Sequence, residues 1–83
     1  MNYQNLCLNF ESTCVGISQE EWDFKMQGTR KANRKEVEKL FKNQYPEFKE
    51  LVELNPYDYL ISKDYLIIIH SAIEYFFKIE SEV

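Results

Sequence analysis

The run Tyr65–His70 constrains the fold more than any other part of the sequence, because it is apolar on both faces of a strand. In Tyr-Leu-Ile-Ile-Ile-His, alternate side chains point to opposite sides, yet neither set is polar. Strands of this kind are typical of a sheet that is covered on both faces. Two alternatives follow. Either the strand is central and covered twice, or Leu66 and Ile68, with Phe76 nearby, form an exposed patch that contacts a second copy or a partner.

Two further β-rich runs flank this strand. Residues 57–61 precede it across a short polar turn, and residues 73–80 alternate apolar and polar side chains after it. Together the three runs predict a C-terminal three-stranded antiparallel meander. A helix over residues 72–80 is the competing interpretation, because a capping-box spacing begins at Ser71 and three apolar residues share one helical face. The four period-two matches favour the strand.

The N-terminal part predicts one strand and one helix. Residues 3–11 alternate in polarity, which is typical of a half-buried strand, and Gly16 marks a turn within residues 11–17. Ser18-Gln-Glu-Glu21 is a capping-box signature, and Trp22 and Met26 then share a helical face. We therefore predict a helix over about residues 19–27, with Gly28 as a C-cap.

Residues 29–43 again have helical periodicity, with Val37, Leu40 and Phe41 on one side and four lysines opposite. A third helix is predicted to begin near Pro46 and to end before Pro56. Residues 1–83 are thus expected to form a single α+β domain. It consists of an N-terminal strand, two or three short helices and the meander, with the helices packed on one face of the sheet.

Charge is strongly segregated along the chain. The net charge of −4 combines seven bases against two acids between Lys25 and Lys42 with three bases against twelve acids elsewhere. The first region is therefore +5 and the second −9. The basic region predicts a partner-binding surface on the helix, formed by Arg30, Lys31, Arg34, Lys35, Lys39 and Lys42. A solvated helix face, a protein contact and a phosphate contact are all compatible with this pattern.

Two other surfaces are candidates. Acidic residues could offer a negative face to a basic groove, as nucleic-acid-mimicking inhibitors do. They are Glu20, Glu21, Asp23, Glu47, Glu50 and Glu53. Tyrosines suit interfaces because their rings are amphipathic. The second surface is therefore a sheet interface that comprises Tyr57, Tyr59, Leu66, Ile68 and Phe76.

The sequence disfavours catalysis. His70 is the only histidine and has no Cys, His or Asp at ligand spacing, and Cys7 and Cys14 do not form a C-x-x-C motif. With two isolated glycines, phosphate-cradling loops are excluded. We expect no enzyme activity, no metal and no cofactor.

The N-terminal sequence and the two cysteines are used to predict the cellular compartment. No basic and apolar leader precedes residue 3, and no apolar segment approaches the roughly 20 residues of a membrane helix. We therefore expect a cytoplasmic protein that contacts no membrane, and in a reducing cytoplasm Cys7 and Cys14 are expected to be free thiols.

The residue types favoured by AT-rich codons (Phe, Tyr, Met, Ile, Asn, Lys) total 35, and those favoured by GC-rich codons (Gly, Ala, Arg, Pro) total 8. Small, acidic products of AT-rich genes are common on phages and mobile elements, and also in ordinary bacteria with low-GC genomes. We hypothesise a non-enzymatic interaction module that inhibits a larger host nucleic-acid-processing or defence complex, such as restriction or CRISPR machinery, in the host cytoplasm. A homodimer is an alternative assembly. A small nucleic-acid-binding protein that uses the basic helix 29–43 is the alternative function.

Overall fold

The computed structural model describes residues 6–41 and 58–81. Within these ranges the chain is a small single domain with five strands and two helices. In chain order they are β1 (Leu6–Thr13), α1 (Gln19–Met26), β2 (Arg30–Lys31), α2 (Arg34–Phe41), β3 (Asp58–Ile61), β4 (Tyr65–His70) and β5 (Ile73–Ser81). The strands form one antiparallel sheet in the order β1-β5-β4-β3-β2. This confirms a mixed α+β fold; the helix predicted from Pro46 lies outside the described residues.

The C-terminal meander is confirmed. Strands β3, β4 and β5 pair consecutively, with Leu66 opposite Phe77 and Ile67 opposite Phe76. Because residues 73–81 form a strand, the helical interpretation of residues 72–80 is wrong. Strand β5 pairs with β4, which is apolar on both faces. Side chains on either face of β5 therefore lie beside apolar side chains of β4.

Strand β1 extends two residues beyond its predicted end. It pairs with β5 along its length, and the register shifts between Phe10 and Ser12. Glu11 is therefore the extra residue of a β-bulge. The alternation of polar and apolar residues breaks at residue 11, where the predicted strand ends. Because the bulge accommodates one extra residue there, the strand continues to Thr13.

The two helices lie on opposite faces of the sheet, which corrects the prediction that they share one face. Helix α1 contributes Trp22 and Met26 to a cluster with Ile67 and Phe76. Helix α2 contributes Val37 and Leu40 to a second cluster, whose buried members from β4 are Leu66 and Ile68. Strand β4 is therefore central and covered twice. Each of its fully buried aliphatic side chains contributes roughly 1.5–3 kcal/mol to stability.

Helix α1 begins where its capping signature predicts. Ser18 is the N-cap, and its Oγ accepts a hydrogen bond of 3.1 Å from the backbone N–H of Glu21. The helix ends at Met26, and Gly28 adopts φ 71°, a left-handed conformation that favours glycine just after a helix.

The predicted helix 29–43 is wrong at its start. Arg30 and Lys31 form strand β2, which pairs with β3 at the edge of the sheet. Ala32 continues this contact by donating its backbone N–H to the Tyr59 carbonyl at 2.9 Å. Helix α2 then begins at Arg34, because the Asn33 side chain caps it by accepting the Glu36 backbone N–H at 2.9 Å. Neither described helix has the length and apolar character of a membrane-crossing segment.

Candidate interaction surface

The outward face of α2 carries two exposed lysines, Lys35 and Lys39, which we call the lysine surface. Lys31 is also exposed, but it pairs with Leu60, which packs in the cluster beneath α1, so Lys31 projects from the opposite face of the sheet. Val37 and Leu40 are buried against the sheet. Since residues advance by 100° along a helix, Lys35 and Lys39 project away from that buried side and lie one turn apart. The lysine surface is therefore fixed by the packing of α2.

The two arginines of the same region are neutralised within the chain. Arg30 forms a bidentate pair with Glu36, with Nη2 2.8 Å from Oε2 and Nη1 3.3 Å from Oε1. Arg34 Nε lies 3.0 Å from Glu38 Oε1, four residues along α2. By contrast, Lys31, Lys35 and Lys39 form no ion pair with any residue within 6–41 or 58–81.

The six predicted basic residues thus separate into different groups. Lys35 and Lys39 form the lysine surface, Lys31 projects from the other face of the sheet, and the two arginines are ion-paired. Lys42 lies outside the described residues. Arg30 and Lys31 belong to a strand instead of the predicted helix. The cationic surface of the described chain is therefore smaller than the sequence predicts.

The predicted sheet interface is buried inside the domain. Leu66, Ile68 and Phe76 are fully buried, and Tyr59 is 7% exposed. Leu66 and Ile68 lie beneath α2, whereas Phe76 lies beneath α1 on the other face of the sheet. These side chains are core, because both faces of the central strands are covered; Tyr57 lies outside the described residues.

Lys25 occupies an unexpected position. The sequence groups it with the basic region, but its side chain is only 8% exposed and points from α1 into the sheet. Its Nζ lies 2.8 Å from Glu11 Oε1 and sits 5.5 and 5.3 Å from the ring centroids of Tyr65 and Phe76. The bulge of β1 brings the Glu11 carboxylate to this position. Lys25 therefore joins α1 to the sheet by an ion pair and two cation–π contacts.

The Lys25 contact changes the titration of its neighbours. Partial burial alone would raise the pKa of the Glu11 carboxyl, but the hydrogen bond and charge of Lys25, assisted by Tyr65 and Lys78, hold it below its ordinary value. Burial, followed by the nearby Glu11 charge, raises the pKa of the Tyr65 hydroxyl. Tyr65 therefore stays protonated at neutral pH and donates a hydrogen bond to Glu11.

Helix α1 presents the opposite charge. Glu20, Asp23 and Phe24 are exposed, Phe24 to 63%, with the Phe24 ring centroid 6.4 Å from that of Tyr65; we call these three residues the acidic surface. Asp23 accepts a hydrogen bond of 3.0 Å from Gln19, and Glu20 has no ion pair with a described residue. Because Lys25 points inward, no base of α1 offsets this charge at the surface. The sheet therefore separates an acidic helix from a more basic one.

A small cleft beside the start of α1 shows no arrangement for catalysis. It has a volume of about 200 Å³ and is lined by Cys14, Ile17, Ser18, Gln19 and Trp22. The thiol of Cys14 accepts the Glu74 backbone N–H at 3.4 Å, and Trp22 Nε1 donates to Glu74 Oε1 at 2.9 Å. These bonds fix the junction of α1 and β5. No histidine or lysine lines the cleft to activate the thiol.

The remaining chemically versatile side chains are dispersed. His70 is half-buried at the end of β4, opposite Ile73. Cys7 and Cys14 are free thiols in the structure. No three His, Cys, Asp or Glu side chains among residues 6–41 and 58–81 lie together as a metal site would require.

Comparison with protein families, with curated proteins and with solved structures finds no match to this chain. What the chain does must therefore be inferred from its own geometry. In the part described, the clearest functional features are the two oppositely charged helix faces.

Proposed function

We propose that the protein is a non-enzymatic interaction module whose lysine surface binds an acidic surface of a larger protein. One observation carries the proposal: Lys35 and Lys39 are exposed on α2 without ion pairs to described residues, while the neighbouring Arg30 and Arg34 are neutralised by glutamates. A cation without an internal partner can pair with a ligand, because no existing ion pair has to be broken. Ion pairs between two proteins at the rim of an interface determine its specificity and association rate.

A protein partner is favoured over nucleic acid by what surrounds the lysines. Arginine is the side chain best suited to bidentate phosphate recognition, and Arg30 and Arg34 are already engaged by carboxylates. Glu38 is exposed on α2 as well, but it is paired with Arg34, so the outward face of α2 offers a phosphate backbone only Lys35 and Lys39.

The proposed partner belongs to a host nucleic-acid-processing or defence complex, and binding inhibits that complex. Small size, acidity and the AT-rich residue usage support this part, because they are common in proteins encoded by phages and mobile elements. The lysine surface supports the mode of binding, and these three sequence properties support the class of target.

Affinity capture from host cells with matched baits tests the proposal. Lys35→Glu and Lys63→Glu each reverse one exposed lysine, but Lys63 lies in the β3–β4 turn, outside the lysine surface. We expect wild type and Lys63→Glu to retain the same protein, Lys35→Glu to retain less, and Lys35→Glu/Lys39→Glu to lose it. Retention must survive nuclease treatment. Equal capture by wild type and the double variant, both shown to be folded by circular dichroism, would contradict the proposal.

Nucleic-acid binding through the same lysines is the second candidate, since unpaired lysines also suit phosphates. Each phosphate contact contributes about −0.9 to the slope of log K against log salt, so contacts from Lys35 and Lys39 give about −1.8. Lys35→Glu/Lys39→Glu would remove both contacts and bring that slope close to zero. Absence of a gel shift at ~50 mM salt eliminates this candidate, whereas nuclease-sensitive capture supports it.

A further inference from the structure

The acidic surface has a composition suited to a basic side chain. Phe24 is 63% exposed on α1, makes an edge-on contact with Tyr65, and has Glu20 one helical turn before it. An exposed aromatic ring beside a carboxylate attracts an ammonium group through ion pairing and through its π face. The only lysine of α1, Lys25, is directed into the sheet toward Glu11, so this position is left to a cation from outside the domain.

The chain itself carries the complementary surface. Lys35 and Lys39 are exposed, lie one helical turn apart on α2 and form no ion pair with a described residue. We infer that the acidic surface of one copy binds the lysine surface of a second copy. In this contact α1 and α2 of different copies lie against each other, with lysines at Glu20, Asp23 and Phe24.

The placement of the helices determines the form of this association. The acidic and lysine surfaces lie on opposite faces of one sheet. A contact that joins unlike surfaces is heterologous, and when its surfaces point in opposite directions it adds copies one after another. A two-fold dimer would have to make both contacts through one side of the protein, which surfaces on opposite faces of the sheet do not allow. The contact therefore yields an open head-to-tail series whose length rises with concentration.

Exposed ion pairs make this contact weak and sensitive to salt. The Debye length falls from roughly 30 Å at 0.01 M salt to roughly 3 Å at 1 M. Self-association is therefore expected at high protein concentration and low salt, and is lost at high salt. This self-association goes beyond the proposed function. Because both contacts use Lys35 and Lys39, a second copy competes with the partner for these lysines.

Sedimentation velocity on the purified full chain tests the inference without any partner. Wild type is expected to show a weight-average mass that rises with concentration at ~0.01 M salt and is monomeric at ~1 M. Lys35→Glu/Lys39→Glu removes the lysine surface, and Glu20→Lys/Asp23→Lys removes the acidic surface. Each variant alone should remain monomeric at low salt, and Lys63→Glu should associate like wild type.

Glu20→Lys/Asp23→Lys is the more stringent of the two variants. Its two reversals bring the net charge from −4 to zero, which by itself promotes non-specific association. A monomeric Glu20→Lys/Asp23→Lys therefore supports a specific contact, and its continued association overturns it. Mixing the two double variants should restore association, because one supplies the acidic surface and the other the lysine surface. Recovery on mixing also shows that both variants are folded.

Three results would overturn the inference: wild type monomeric at low salt, association unchanged by both double variants, or a discrete dimer that persists at ~1 M salt. The last indicates an apolar contact instead. None of them affects the capture of a partner through the lysine surface. Failure of capture, in turn, leaves the sedimentation result unchanged, so the two proposals fail separately.

Discussion

Replacing Ser71 and Ala72 by Asn and Gly is expected to stabilise the β4–β5 hairpin. The two residues form a two-residue loop between the paired residues His70 and Ile73. Their φ angles are 51° and 63°, the positive values at both central positions that a type I′ turn requires. Both side chains are exposed, so the substitutions remove no buried contact.

The magnitude follows from the backbone alone. A left-handed conformation costs a residue with a Cβ atom roughly 1–2 kcal/mol, and glycine adopts it without this cost. Ala72→Gly recovers that energy but loses about 0.5–1 kcal/mol because glycine is more flexible in the unfolded chain. Asn tolerates the left-handed region better than Ser, and adds a few tenths of a kcal/mol. The double variant should therefore be more stable by about 1 kcal/mol, with a Tm higher by about 4–8 °C.

Urea unfolding followed by the fluorescence of Trp22, the single tryptophan, measures the effect. The midpoint should rise with an unchanged m-value. Gly28→Ala is the matched control: its φ is 71°, and a Cβ there meets nothing within 4 Å, so it should lose about 1 kcal/mol through backbone strain alone. A double variant no more stable than wild type, with Gly28→Ala destabilised as expected, would refute the reasoning about the turn.

Three further predictions concern the interior. Lys25→Met retains the buried stem but loses the ion pair and the cation–π contacts, and should cost about 1 kcal/mol; a double-mutant cycle with Glu11→Gln in urea unfolding should show coupling of similar size. Because the folded pKa of Glu11 is lowered below 4.5, its contribution to stability is present above that pH and lost as pH falls through the lowered value. Denaturation midpoints measured from pH 6 to about pH 3 should therefore fall less steeply in Glu11→Gln, and equal slopes would contradict this. Leu66→Ala should cost about 2–5 kcal/mol because Leu66 is fully buried, whereas Val15→Ala, at a position that is 72% exposed, should change stability by no more than about 0.5 kcal/mol in the same assay.

The sequence predicts the C-terminal strands well because their signals are local. Period-two alternation in residues 73–80 and the apolar run of β4 are visible without knowledge of the rest of the chain. The cap at Ser18 is local too, and α1 begins where it predicts. By contrast, the double cover of β4 depends on which face each helix packs on, which no single segment encodes.

The basic region was harder to predict for two physical reasons. Arg30 and Lys31 form only two residues of an edge strand, too few to show a period, and their pairing depends on distant β3. Lys25 has the Glu21 spacing of a surface pair, so its charge predicts exposure. Its position between Trp22 and Met26 on the helix was the available signal, because both neighbours lie on the buried side. An inward lysine also needs a carboxylate, and the bulge that supplies it could not be predicted from alternation.

Glu11 is the extra residue of the β1 bulge, so the pairing of β1 with β5 does not depend on it. Phe10 pairs with Phe77, and Ser12 pairs with the next residue of β5, Phe76, so the ladder proceeds as though Glu11 were not there. Deleting this one residue would leave every other β1–β5 pair in register, whereas deleting Asn9, which is paired with Lys78, would reverse the facing of the preceding residues. The carboxylate that pairs with Lys25 can therefore be removed from the strand without changing the rest of the sheet.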